Sequence, residues 1–202
     1  TMFLMLFVND IPGLRDIPHW LLHATEHEDM LGFSDTIFPG FLFAMGMAVP
    51  FAIENRFKKG DTTGQVAVHI FWRTVALLVM GLFTVNRDTI DATATGISKP
   101  WFSILMVLAF FLVWSVYPKV SGLRKWLFTT MKLLGVAILV YLFYRYRGMN
   151  GSSFSPQWWG ILGLIGWTYL VCASIYLLIR SDLMLNLIAL GLMLGCSVCS
   201  ES

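Results

Sequence analysis

The sequence predicts an all-α protein, a polytopic bundle of transmembrane helices. Of its 202 residues, 57% are hydrophobic and only 13% are charged, and the mean hydropathy is +0.71. A soluble domain carries about 25% charged residues. Apolar stretches close to the roughly 20 residues that cross a bilayer recur along the chain. The formal net charge of +2 is small and scattered, so we expect no nucleic-acid partner.

Six full spans and a truncated first helix are predicted. The chain begins in the apolar run TMFLMLFV, which rises about 12 Å as a helix and falls short of a crossing. We therefore expect residues 1–202 to be a single transmembrane domain that is incomplete at both ends, a fragment of a larger fold. A polar loop at 9–30 follows the first helix. The full spans are expected at 34–54, 66–86, 101–118, 126–144, 157–179 and 183–200.

The positive charges predict an orientation. One set of alternate loops holds seven Lys and Arg residues and the other set holds five. The difference is largest at the first two loops, where Arg15 stands against Arg56, Lys58 and Lys59. Because cytoplasmic loops are enriched in these residues, we expect loop 9–30 to face the periplasm or a lumen.

Small and helix-breaking residues mark two of the spans. Pro39-Gly40 and Pro50 are expected to interrupt the span at 34–54, where Gly40, Ala44 and Ala48 also form a small-residue face. This pattern fits close helix packing, and it also fits a broken backbone that lines a polar cavity. Close packing is the interpretation for a second set in the span at 157–179: Gly160, Gly163 and Gly166.

The outer loop concentrates titratable side chains. His19, His23 and His27 are four residues apart, so a helix that begins near Pro18 would place them along one face. Neighbouring carboxylates favour a charged imidazole, which makes an acid/base role near neutral pH physically reasonable. The alternative is a solvated acidic loop with incidental histidines. The carboxylates are Glu26, Glu28, Asp29 and Asp35.

Two motifs in the chain suggest a metal, and both signals are weak. His23, Glu26 and His27 form the H-x-x-E-H pattern of inverted zinc proteases. Such a site needs a third protein ligand and an open coordination position, and no downstream residue stands in a ligand-like setting. Cys196 and Cys199 form a C-x-x-C without a partner pair or a nearby histidine. We expect no metal, and a zinc-dependent hydrolase is kept only as a minor alternative.

Further candidates stand at the ends of two spans. Asn9 and Asp10 follow the first apolar run. The Asn9 amide could cap the exit of the chain, or it could orient a carbonyl and stabilise an oxyanion. Ionisable groups within a span suggest function. His69 and Arg73 are four apart on the span at 66–86, and Arg73 is the better candidate for an anionic ligand from the cytoplasm.

Four stretches together resemble a known family. The segments LFVNDIPG, WLLHATEHEDMLGFSDTIFPGFLFAMGMAVPFAI, FWRTVALLVMGLFTVN and WWGILGLIGWTYL are similar to bacterial relatives of heparan-alpha-glucosaminide N-acetyltransferase. The resemblance covers most of the chain. It is most specific between Asn9 and Pro39, where F-V-N is followed by a loop histidine and then by an aspartate before F-P.

The resemblance implies a set of roles. The family's lysosomal enzyme takes acetyl from cytoplasmic acetyl-CoA and delivers it to a glucosamine amine across the membrane. By motif position it implies His23 and Asn9 as catalytic residues, and we add Asp35, the aspartate of the same block. Asp10, next to Asn9, and Arg73, the ionisable residue within a span, are kept as candidates for binding substrate or co-substrate. The interval from His23 to Asp35 is longer than in the lysosomal enzyme, so His27 is an alternative match.

The function expected from the sequence is therefore a membrane-embedded acyltransferase of the bacterial inner membrane. It would move acetyl from acetyl-CoA to an amino sugar or glycan on the periplasmic side. The alternative is a transporter or flippase for a glycan precursor, in which His23, Asp35 and Arg73 would couple or bind. The expected partners are the lipid bilayer and the glycan acceptor, with a homodimer left open.

Overall fold

The computed structural model describes residues 3–4, 7–8, 17–22, 30–118, 123–180, 182, 184–188, 191, 195 and 199. Within these residues the fold is all-α, with 3-10 turns at His19–Leu21 and Met149–Gly151 and one isolated antiparallel bridge between Ile90 and Gly148. The helices are α1 (Phe33–Lys58), α2 (Thr63–Asp88), α3 (Ala92–Thr95), α4 (Lys99–Trp114), α5 (Leu123–Arg145) and α6 (Gly160–Ile179).

Helix length and hydropathy confirm an all-α membrane protein. Helices α1, α2, α5 and α6 are each long and apolar enough to cross a bilayer, and α4 is a shorter apolar helix. They coincide with five of the six predicted spans. The sixth, at 183–200, lies mostly outside the described residues, of which 184–188 are helical. Large apolar side chains such as Phe43, Phe51 and Phe111 are exposed on these helices, as expected for surfaces that face lipid rather than water.

The predicted interruption of the first full span is wrong. Helix α1 runs without a break from Phe33 to Lys58 and contains both Pro39 and Pro50. Each proline removes only one main-chain donor, and the remaining turns keep the helix continuous. A methyl group added at Gly40 would meet nothing within 4 Å, so the predicted close packing does not occur there within the described chain.

The chain packs as two compact units, and α2 and α6 contribute to both. Unit 1 comprises Thr1–Phe71 and Thr168–Ser202, and unit 2 comprises Trp72–Trp167. In unit 1, α1 packs against the first part of α2 and the last part of α6. Its core is formed by Val49, Ile53, Val66, Ile70, Tyr169 and Ala173.

In unit 2 the core joins α2, α4 and α5, and glycines bring helices close together. Its buried residues are Phe83, Ile90, Phe102, Met106, Ala109, Leu139, Leu142 and Tyr146. A methyl group on Gly81 of α2 would lie 2.6 Å from the Trp159 carbonyl oxygen, and one on Gly166 of α6 would lie 3.1 Å from Leu77 Cβ. The close-packing prediction for the glycines of α6 is thereby confirmed.

Helix α4 ends earlier than the sequence predicts. The predicted span reaches residue 118, whereas the helix stops at Trp114 and Ser115 is extended. Pro118 disfavours helical geometry at Tyr117. The Tyr117 hydroxyl instead donates to the Leu112 carbonyl at 2.9 Å, which satisfies one of the carbonyls left without a partner at a helix end.

Candidate functional site

Two of the six predicted site residues fall within the described chain. Asp35 lies in the first turn of α1, and Arg73 is exposed on α2. The other four lie outside the described residues: Asn9, Asp10, His23 and His27.

Asp35 closes the amino-terminal end of α1. Its Oδ2 accepts a hydrogen bond from the Gly32 main-chain N–H at 3.0 Å, and its own N–H donates to the Gly32 carbonyl at 3.1 Å. A carboxylate in the first turn also interacts favourably with the helix dipole. The side chain is half-buried. Asp35 therefore fixes the start of α1, in addition to any chemical role.

The loop segment that leads to His23 is anchored at the same place. The buried Ser34 hydroxyl donates to the Leu21 carbonyl at 2.5 Å, and the Trp20 ring meets Phe33 edge-on at 6.3 Å. Gly32 lies so close to the Leu22 carbonyl oxygen that a side chain there would overlap it. We call this arrangement of 17–22 and 32–35 the loop–helix junction.

The junction corrects one prediction about the histidines. His19 begins a 3-10 turn that ends at Leu21, and Leu22 is extended. An α-helix from Pro18 through His27 is therefore wrong, because the chain leaves helical geometry before His23. The contacts of Leu21 and Leu22 with the start of α1 stabilise this change from a 3-10 turn to extended backbone.

The described residues include an apolar groove and no cluster of three metal ligands. Across the described residues, no three His, Cys, Asp or Glu side chains converge as metal ligands, and the H-x-x-E-H motif lies outside them. In unit 2, a groove of about 420 Å³ runs along α4 between Val107, Phe111 and Trp114. Its lining is almost entirely apolar, so it is suited to an acyl chain rather than to a sugar.

Sequence reasoning missed a polar region of unit 2, at 86–99 and 145–157, which we call the loop cluster. Asn86 is fully buried, donates to the Ser155 carbonyl at 2.7 Å and accepts from the Ser155 N–H at 3.2 Å. The Thr89 and Tyr146 hydroxyls are 2.9 Å apart, and the Gln157 amide donates to Thr89 at 3.2 Å. These bonds join the end of α2 to the segment before α6.

A second set of bonds in the loop cluster surrounds Thr95, which is fully buried. Its hydroxyl donates to the Arg147 carbonyl at 3.0 Å and accepts from the Arg147 N–H at 3.1 Å. The Arg145 guanidinium donates to the Thr95 carbonyl at 2.9 Å. Together with the bridge between Ile90 and Gly148, these bonds hold α3 against the end of α5.

The Asp91 carboxylate begins α3. It accepts hydrogen bonds from the Thr93 hydroxyl at 2.6 Å and from the Thr93 and Ala94 N–H groups at 2.8 and 3.2 Å. These donors, the Thr93 hydroxyl first, hold the pKa of Asp91 below its ordinary value, because they stabilise the charged form. Asp91 is therefore a structural cap and a poor proton donor.

One feature of the sequence could have pointed to the loop cluster. Asn86 ends an apolar span, the kind of position that makes Asn9 a candidate. Its partner Ser155 is 69 residues away in sequence, so the pairing itself could not be predicted.

In unit 1, the carboxyl ends of α1 and α6 meet through charged side chains. Glu54 Oε1 accepts from Arg180 Nε at 2.7 Å and from the Tyr176 hydroxyl at 3.2 Å. The Arg180 guanidinium lies 4.0 Å from the centre of the Phe57 ring. These contacts join the ends of two membrane helices. The Glu54 carboxylate is paired with Arg180 and Tyr176.

Comparison with known proteins assigns the family. No curated protein and no solved structure matches the chain. A family model described as "Domain of unknown function (DUF5009)" matches residues 3–201. This match includes both compact units and both candidate regions. The chain therefore belongs to the DUF5009 family.

Proposed function

We propose that the protein is a membrane-embedded acyltransferase that moves acetyl from cytoplasmic acetyl-CoA to an amino sugar or glycan on the periplasmic side of a bacterial inner membrane. The proposal rests on the sequence resemblance and on one observation, the loop–helix junction. Ser34 holds Leu21, and Gly32 packs against Leu22. Leu22, the residue before His23, is thus held against Gly32, which precedes Asp35 by three residues in the sequence.

The proposed chemistry transfers one acyl group between two nucleophiles. The amine nitrogen of the acceptor attacks the thioester carbonyl, the carbon–sulfur bond breaks, and the coenzyme leaves as a thiol that takes up the proton lost by the amine. His23 acts either as the general base for that proton or as a nucleophile that carries the acetyl group between the two substrates. Both routes end in an amide and free CoA.

The remaining residues have supporting roles in this proposal. Asn9 donates to the developing oxyanion. Asp35 positions the loop and favours the charged form of a nearby imidazole. Arg73 and Asp10 are proposed to contact the substrates, with Arg73 suited to the phosphates of the coenzyme.

The first test measures release of free CoA by membranes that hold the full-length protein, with acetyl-CoA and glucosamine both present. We expect His23→Ala to abolish this release without reducing membrane insertion. His19→Ala is the matched control, because His19 lies in the 3-10 turn of the same junction and is given no role. Loss in His27→Ala with normal turnover in His23→Ala would assign the role to His27.

The second test concerns the oxyanion. Removal of an oxyanion donor lowers turnover by about 10²-fold or more, so Asn9→Ala should reduce kcat more than it raises KM. An effect confined to KM would contradict this role. If the full-length protein releases no CoA under any condition, but uptake or flipping of a glycan precursor is intact, the transporter alternative replaces the acyltransferase.

A further inference from the structure

The loop cluster carries two exposed arginines that are not neutralised. Arg145 donates through Nη2 to the Thr95 carbonyl at 2.9 Å, and Arg147 donates through Nη1 to the Tyr146 carbonyl at 2.8 Å. Within the described part of the chain, neither guanidinium contacts a carboxylate. Both residues are exposed, so both are accessible to a ligand outside the protein.

The acidic side chains of the loop cluster are already engaged. Asp88 lies 2.7 Å from Arg87 Nη2 and 3.7 Å from Lys99 Nζ. The Asp91 carboxylate accepts three hydrogen bonds at the start of α3. The cluster therefore has four cations against two carboxylates, and the surplus charge belongs to the arginine pair.

A buried residue holds the pair in place. Thr95 is fully buried, and its hydroxyl and carbonyl bond both to the main chain of Arg147 and to the side chain of Arg145. Long surface side chains normally lose conformational entropy when they bind a ligand. Because Thr95 has already fixed Arg145 and the backbone of Arg147, part of that cost is met during folding.

Exposed aromatic side chains indicate where this surface lies relative to a lipid bilayer. Trp101 lies in the first turn of α4, Tyr144 in the last turn of α5, and Trp158 two residues before α6. All three are more than half exposed. Tryptophan and tyrosine are enriched at the boundary between the hydrocarbon core and the headgroups. The arginine pair lies at these same helix ends, so the aromatic pattern indicates a surface at headgroup level.

We propose that Arg145 and Arg147 bind the phosphate of an anionic phospholipid headgroup. A guanidinium presents a planar fork of donors that matches phosphate oxygens. The surplus charge favours a lipid with a net negative headgroup over a zwitterionic one. This site is independent of the acyltransferase proposal, since it uses none of the residues assigned to transfer.

The test compares lipid binding by purified full-length protein and its variants in detergent micelles, with fluorescent phosphatidylglycerol as the probe and phosphatidylcholine as the reference lipid. Basic residues strengthen the binding of an anionic headgroup, so Arg145→Gln with Arg147→Gln should weaken phosphatidylglycerol binding about tenfold or more. The matched control is Arg124→Gln with Lys125→Gln, the same change of charge in the first turn of α5. Phosphatidylcholine binding should not change.

Two further measurements keep the proposal falsifiable. Among the described residues, the Arg147 guanidinium bonds only to the carbonyl of its neighbour. Arg147→Gln alone should therefore fold even if the double variant does not, and it should still lose phosphatidylglycerol affinity. Equal loss in the control variant, or unchanged binding in both arginine variants, overturns the proposal. Displacement of the lipid by millimolar inorganic phosphate would also overturn it, by showing a site for a soluble anion.

Discussion

Replacement of Asn86 by leucine tests how strongly one buried amide contributes to holding the loop cluster together. The change keeps approximate volume and removes every polar atom of a fully buried side chain. One amide bond goes to Leu82 within the same helix, where the carbonyl already has a helical partner. The two bonds to Ser155 join separate segments. At about 1 kcal/mol for each net hydrogen bond, Asn86→Leu should destabilise the protein by about 2 kcal/mol.

Thermal unfolding in detergent measures this loss, and hydrogen exchange at the Ser155 N–H locates it. On the scale of soluble domains of similar size, about 2 kcal/mol corresponds to about 4–8 °C in Tm. Thr84→Val is the matched control on the same helix, because within the part of the chain that the structure describes the Thr84 hydroxyl bonds only to the Met80 carbonyl one turn earlier. Equal Tm values for the two variants, or unchanged exchange at Ser155, would refute the proposed anchoring role of Asn86.

Three other outcomes are expected. Thr95→Val should cost about 1–3 kcal/mol, because both main-chain groups of Arg147 lose a buried partner, whereas Thr95→Ser should recover most of the loss; equal Tm values for the two would contradict this. Gly81→Ala should lower Tm because its methyl group would lie 2.6 Å from a main-chain oxygen, while Gly64→Ala, with nothing within 4 Å, should not. Because the folded pKa of Asp91 is lowered, its contribution to stability is present above the unfolded pKa and is lost as pH falls through the folded pKa. Protection of the capped Thr93 and Ala94 amides from hydrogen exchange, relative to their intrinsic rates at each pH, should fall only in that range, and protection that persists below it would argue against the cap.

The membrane fold could be predicted from the sequence because hydropathy acts over long stretches. About 20 apolar residues determine a span wherever they occur, and four long helices and one shorter one lie where the sequence placed them. The ends of elements depend on single contacts instead. Ser115 is extended before Pro118 is reached, and two prolines sit inside a continuous α1.

The candidate sites could be predicted only in part. Asp35 is predicted as a site residue because its position matches a family motif, and its bond to Gly32 is a local capping contact that the motif does not reveal. The loop cluster was missed because it consists of uncharged side chains whose partners are distant in sequence. Thr95 and Arg147 are 52 residues apart, and no pattern of period or charge links them.

The length of α4 has a consequence for the lipid around it. Its 16 residues rise about 24 Å, whereas an undisturbed hydrocarbon core is about 30 Å thick. Such hydrophobic mismatch is relieved when the bilayer thins beside the short helix. Lipids next to α4 would then be compressed along their acyl chains, and the insulating layer between the two aqueous compartments would be narrower there than elsewhere around the protein.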